Sequence, residues 1–259
     1  MSEFILSNQQ GGVLTLTMNR PDKYNAFVRD MALALQAELA KAQTDKSIRA
    51  ILLTGAGKAF CAGQDLAEAT DPQGPELTKI VTEHYNPIIE AIRNLDKPVV
   101  AAVNGVAAGA GANLALACDV VLAAESAKFI QSFSKVGLIP DTGGSWHLPR
   151  LLGEARAKGL AFTAEPITAQ KAEDWGLIWK ALPDEALMEE ARAMATRLAN
   201  GPTLGLGLSK MCIQAAAVDT LEDHLEMEAD AMKTCGESDD YAEGVAAFLE
   251  KRAPEFKGK

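Results

Sequence analysis

The chain of 259 residues is 48% hydrophobic and 23% charged, the composition of an ordinary globular protein with room for one large domain or a domain plus an appendage. Its formal net charge of −10 opposes long-range attraction to nucleic acid and to anionic membranes, so neither is expected as a partner. A phosphorylated small molecule is not excluded, but it would need a local cluster of Lys, Arg or backbone N–H groups.

The opening MSEFILSNQQ has Glu3 early and no basic stretch ahead of an apolar one, which reads as no signal peptide and a cytoplasmic address. GGVLTLTMNRP reads as a strand, with Val13, Leu14 and Leu16 set among threonines and Pro21 stopping it. Along VRDMALALQAELAKAQ, Met31, Leu35 and Leu39 share one helical face. IRAILLTGAG is a short apolar run ending in glycines, as a buried strand does. FCAGQDLAEA follows as a turn entering a helix, and Pro72 and Pro75 mark a loop. ELTKIVTEHYNPIIEAIRNL predicts a helix kinked at Pro87.

KPVVAAVNG gives another buried strand, AAGAGANLALACD a small-residue helix, and VVLAAE a further strand. This alternation predicts an α/β protein with a largely parallel sheet. Strand signals stop at Asp184, and EALMEEARAMATRLAN and TLEDHLEMEADAMKTC read as helices around the breaker Gly201-Pro202. We therefore expect a core over residues 1–198 and a helical part over 199–259. No run suits a membrane span, because glycines, Asn104, Asn113 and Asp119 interrupt the longest apolar stretch. Cys61, Cys118, Cys212 and Cys235 stand far apart without a CxxC pair, which fits reduced, mostly buried thiols. With His84, His147 and His224 equally scattered, no metal site is expected.

Two glycine-rich turns are candidates for chemistry. In AFCAGQDL, Gly63 follows a strand-like run; in NGVAAGAGANLALA, Gly109 and Gly111 flank Ala110 where a helix begins. Backbone N–H groups at such turns lack strand or helix partners, and two converging would hold a developing oxyanion. The blander reading is that small residues only let a helix pack closely. A dinucleotide-binding loop is opposed by the missing GxGxxG. A third motif, IPDTGGSW, places Asp141 between a proline and two glycines, where it suits either a helix cap or a buried acid/base.

NRPDKYNAF, AFCAGQDL, AAVNGVAAGAGANLALACDVVLAAESAKF, LIPDTGGSWHLPRLLG and AAFLEKRAPEFKGK, in this order from about residue 4 to the end, resemble the enoyl-CoA hydratase/isomerase (crotonase) superfamily. The resemblance implies a crotonase-like spiral of ββα units with a helical C-terminal trimerisation region, and a homotrimer or dimer of trimers. It implies an acyl-CoA substrate whose thioester oxygen lies between the N–H groups of Gln64 and Ala110, with coenzyme A as part of the substrate and no separate cofactor. It assigns Ala62, Asp65 and Leu66 to the coenzyme A adenine, and Lys23 and Lys257 to its phosphates. Read alone, Asp65 could be a helix cap and both lysines merely solvated. Trp146 and Trp179 read as packing residues.

Hydratases of that family hold a water with two glutamates, and the matching positions here are Asn113 and Phe133. Neither is a carboxylate, so ordinary hydration is disfavoured by roughly 10²–10⁴ for each role lost. Asp141 falls where hydratases usually have glycine, and in this it resembles dienoyl-CoA isomerases and the branch acting on ring-1,2-epoxyphenylacetyl-CoA. One carboxylate suffices for isomerisation, and Ile130 and Phe133, with Asn113, suit a dry acyl pocket. The expectation is an acyl-CoA isomerase that forms oxepin-CoA or shifts the double bond of a 3-enoyl-CoA. A hydratase or thioester hydrolase, a nicotinamide dehydrogenase and a non-catalytic CoA-binding assembly subunit are the competing readings.

Overall fold

The computed structural model describes residues 3–259. β1 (Ile5–Gln10) and β2 (Val13–Met18) form an antiparallel hairpin around Gly11, whose φ of +55° a glycine tolerates without strain. β1 left no mark in the sequence because Ser7, Asn8, Gln9 and Gln10 are polar, as an edge strand's residues are. α1 (Arg29–Thr44) buries Met31, Leu35 and Leu39 against this hairpin at four-residue spacing.

Each of three buried strands is followed within a few residues by a short one. β3 (Ala50–Gly55) leads to β4 (Ala59–Cys61), and then to α2 (Leu66–Ala69), α3 (Leu77–Lys79) and α4 (Asn86–Asn94). β5 (Val99–Val103) leads to β6 (Val106–Ala108) and α5 (Ala110–Leu116). β7 (Val120–Ala124) leads to β8 (Lys128–Ile130) and α6 (Gly144–Thr163), the latter interrupted by non-helical backbone at Gly153. After α6 come β9 (Ile167–Thr168), α7 (Ala169–Asp174) and β10 (Lys180–Leu182). The long strands, with the short β10 at one edge, build one sheet in the order β1-β2-β3-β5-β7-β10, parallel from β2 onward; β4, β6, β8 and β9 build a second in the order β4-β6-β8-β9. This is a spiral of ββα units. The second sheet was not expected, since strands of two or three residues are too short to show a period. Ala107 and Ala108, expected at the start of a helix, belong instead to β6.

Around β4, helix α5 and the connection between β5 and β6 approach backbone to backbone. A Cβ added at Gly111 would stand 2.2 Å from the Cys61 carbonyl oxygen, and one at Gly105 would stand 2.1 Å from that of Lys58. The kink expected at Pro87 is instead a π-helical turn over Ile80–Tyr85, directly ahead of α4. Pro87 has no N–H to donate, and the chain widens its turn upstream.

α8 (Leu187–Ala199) lies across β3, β5 and β7, burying Leu187, Ala191, Ala195 and Ala199 at four-residue intervals. α9 (Thr203–Ala215), α10 (Leu221–Gly236) and α11 (Asp239–Glu250) complete the helical part. α9 docks on the core through Lys210, whose ammonium donates to Asp119 (2.9 Å) and to the Ile92 carbonyl (2.6 Å). Cys61 and Cys118 are buried, whereas Cys212 and Cys235 are half-buried. Trp179, expected to pack, is 65% exposed, and Trp146 is stacked between Arg93 and Arg150. No helix among the described residues is long and apolar enough to cross a membrane.

Candidate active site

The pairing of β4 with β6, Cys61 opposite Ala107, carries the turns after both strands to one place. Gly63 has φ +91°, and a Cβ there would meet the Ala108 oxygen at 2.9 Å and the Ala110 nitrogen at 3.4 Å. Gln64 and Ala110 therefore flank a contact that only glycine permits.

Each presents a backbone N–H for a definite reason. Gln64 forms a lone parallel bridge with Phe27, in which Phe27 N donates to Gly63 O (2.7 Å) and Asp65 N donates to Phe27 O (2.8 Å). That pattern turns the N–H of Gln64 itself to the other side. Ala110 opens α5, so its N–H has no carbonyl partner within the helix. Neither group donates to a protein acceptor among the described residues. Ile130 and Phe133 form the neighbouring wall: Gly109 N donates to Ile130 O (2.8 Å), and the Phe133 ring stands 3.8 Å from where a Gly109 Cβ would be.

Asp141 does not cap the helix it precedes. α6 is preceded by Gly143 in left-handed backbone, with no side-chain cap. The Asp141 carboxylate instead accepts the Thr142 hydroxyl (2.7 Å). Thr142 is buried at φ +53°, a strained conformation for a β-branched residue. Burial holds the Asp141 carboxyl above its usual range, against the Thr142 hydrogen bond that lowers it.

Asn113 joins the two halves of the site. It is fully buried; its Nδ2 donates to the Asp141 carbonyl (2.9 Å) and its Oδ1 accepts from Gln131 Nε2 (2.8 Å). Gly144 N donates to the same Asp141 carbonyl (2.7 Å), and a Cβ at Gly144 would collide with the Asn113 amide at 2.1 Å. Expected as a pocket residue, Asn113 thus reaches the site through Asp141 rather than with a free polar group.

The residues expected to hold coenzyme A divide. Lys23, Ala62, Asp65 and Leu66 come together on the rim of the Gln64 turn: Ala62 N donates to Tyr24 O (3.0 Å), and Leu66 is 58% exposed. Asp65 is also the cap of α2, accepting from Ala67 N (3.0 Å), and it pairs with Arg20 (3.0 Å). Burial alone would raise its carboxyl, but the bonds from Arg20 and Ala67 hold it below the usual range. Lys257 lies elsewhere. Its backbone N donates to Asp240 (2.6 Å), and the adjoining Phe256 carbonyl accepts from Arg49 (2.9 Å), immediately before β3. The turns of Gln64 and Ala110 lie beyond the opposite end of that strand, about 20 Å away within one chain.

Sequence reading missed the Tyr85–Gln64–Glu68 hydrogen-bonded chain and the Thr142 contact. The Tyr85 hydroxyl donates to Gln64 Oε1 (3.1 Å) across 21 residues of sequence, a pairing no local pattern encodes.

The enoyl-CoA hydratase/isomerase family model matches residues 8–259. The chain belongs to the enoyl-CoA hydratase/isomerase family. Within it, the 1,2-epoxyphenylacetyl-CoA isomerase of Escherichia coli (strain K12) is 51% identical over 262 residues, covering all of both chains. The 2,3-dehydroadipyl-CoA hydratase of the same organism is 36% identical, again over 100% of each. The crystal structure of an enoyl-CoA hydratase from Polaromonas sp. JS666 superposes with a TM-score of 0.92 at 39% identity, covering 97% of this chain and 99% of that one. The spiral and the helical C-terminal region are those of the family.

Proposed function

We propose that this family member is a coenzyme A thioester isomerase, with Asp141 as its single acid/base. The observation that carries the reading is a half-buried carboxylate of raised pKa, tied through Asn113 to the helix that opens on one of two unpaired backbone donors, while positions 113 and 133 hold a sequestered amide and a phenyl ring. Asp141 takes a proton from the carbon next to the thioester carbonyl. The C–H pair becomes the enolate double bond, and the carbonyl pair moves onto oxygen between Gln64 N–H and Ala110 N–H. Asp141 then returns the proton at a more distant carbon of a 3-enoyl-CoA. For ring-1,2-epoxyphenylacetyl-CoA, the same enolate precedes C–O reorganisation to the oxepin. Support comes from the 51% identity to a protein of that activity. No step draws on a metal or redox cofactor.

The rim at Lys23, Ala62, Asp65 and Leu66 is our assignment for the coenzyme A moiety. Lys257 would serve it only from another copy. Ile213 and Phe248, 76% and 83% exposed, suit the trimer or dimer of trimers we infer.

Asp141→Asn should lower isomerase kcat by roughly 10²–10⁴ while the fold persists. Because the base acts deprotonated, wild-type activity should rise with pH through one ionisation above the usual carboxylate value of about 4. Full turnover by the variant on both substrates would reject Asp141 as the base. The hydratase names among relatives favour a second reading, water addition. Rapid formation of 3-hydroxyacyl-CoA from crotonyl-CoA would support it.

A further inference from the structure

Only the backbone of Gln64 would face the thioester, yet its side chain is held at both ends. We propose that Tyr85 and Glu68 are positioning residues that act through the Gln64 side chain to aim its backbone N–H at the thioester oxygen; this rests on the proposed function. The Tyr85 hydroxyl donates to Gln64 Oε1 (3.1 Å), Gln64 Nε2 donates to Glu68 Oε2 (2.7 Å), and Glu68 Oε1 accepts from Arg29 N at the start of α1 (2.9 Å). The two acceptor–donor contacts fix the orientation of the amide as well as its place.

Tyr85 also reaches the donor by a second route. Its ring, 1% exposed, packs on Phe27 with centroids 5.6 Å apart, and Phe27 is the residue whose backbone bridges Gly63 and Asp65 on either side of Gln64. The π-helical turn ending at Tyr85 sets this side chain inward; such turns recur at functional sites. Burial, with Cys61, Asp141 and Glu68 nearby, pushes the phenol well above its ordinary ionisation, so it remains a donor throughout the working pH range. The oxyanion donor is thereby tied to α1, α2 and the π-turn at once, which is the preorganisation electrostatic catalysis requires.

Tyr85→Phe removes one O–H and keeps the ring. Complete loss of an oxyanion donor costs roughly 10²–10³ in kcat, so a displaced donor should cost roughly 5–30-fold with KM changed less than about twofold. In a Gln64→Met background the same substitution should add less than about twofold, since the link is already cut. Glu68→Gln keeps one acceptor oxygen where Glu68 uses two, so it should lose part of the activity, and Glu68→Ala should lose more. Isotope-edited infrared spectra of bound phenylacetyl-CoA, which needs no turnover, should show the thioester C=O band displaced from its solution frequency in the wild type and partly restored in Tyr85→Phe. If Tyr85→Phe does not fold by circular dichroism, Gln64→Met alone should show both the kcat loss and the band change. Unchanged kcat and band position in Tyr85→Phe, or an equal loss in the Gln64→Met background, would overturn the positioning role. A wild-type band at its solution frequency would overturn the oxyanion site itself, and with it both readings.

Discussion

Gly63 stands where the two donor turns meet, and its missing Cβ is what lets them meet. Gly63→Ala puts a methyl 2.9 Å from the Ala108 oxygen and forces a left-handed φ of +91° on an alanine. Misplacement by about an ångström costs on the order of 10² in rate, so kcat/KM for an acyl-CoA isomerisation should fall about that far while circular dichroism changes little. Wild-type kcat/KM would show that the turns do not form the site. The meeting of these two turns was legible in the sequence because glycines mark tight approach. Asp141 was legible as a candidate, but a proline before it and glycines after it describe a cap equally well. Only the position of Gly143 and the turn of the carboxylate to the Thr142 hydroxyl separate the two. Tyr85, Glu68 and Thr142 were hidden because what matters about them is a contact, and nothing in their local residue pattern announces one.

At the scale of elements, α5 opens on the unpaired N–H of Ala110 and, one turn later, tethers the Asp141 loop through Asn113. The proposed donor and the proposed acid are thus set by one short helix. Asn113→Ala would leave Gln131 Nε2 without its acceptor and the Asp141 carbonyl with one donor fewer, in a site where Gln131 is 4% exposed. We expect unfolding free energy to drop by about 2 kcal/mol or more in urea titrations, and kcat to fall with it. Unchanged stability would mean that the tether is dispensable. The buried strands and long helices were readable from apolar runs and four-residue spacing. β4, β6, β8 and β9 were not, at two or three residues each, and the polar edge strand β1 has no apolar face to betray it. The absent carboxylate at 113 was visible in sequence; that its amide would be spent on a loop backbone was not.

For the molecule as a whole, the seam between core and C-terminal helices is built around a cavity of about 690 Å³ whose lining includes Arg93, Trp146, His147, Asp119, Lys210 and Ile213. His147 is 4% exposed with Nε2 unpartnered, and burial, then the charges of Arg93 and Arg150, push it down to about 4. A folded pKa below the unfolded value of about 6.5 stabilises fully above that pH and is lost as pH falls toward 4. The wild type should lose on the order of 3 kcal/mol through this group across the window, read as urea midpoints against pH. Asp119, raised by burial despite Lys210, contributes in the opposite sense, so the comparison is with His147→Leu, which should flatten the difference. An unchanged slope in that variant would exclude His147 as its source.

The backbone contact at Gly105 and Gly111 divides the molecule's capacity for change. A methyl added along that contact has no flexible neighbour to push aside, so random variation there would be lost at the folding step. Ile130 meets the Gly109 turn through its backbone carbonyl and Phe133 through its ring, and exchanging the bulk of either side chain leaves the backbone hydrogen bonds of the site in place. New acyl preferences should therefore be selected from the wall of the site, under an unchanged pair of glycines.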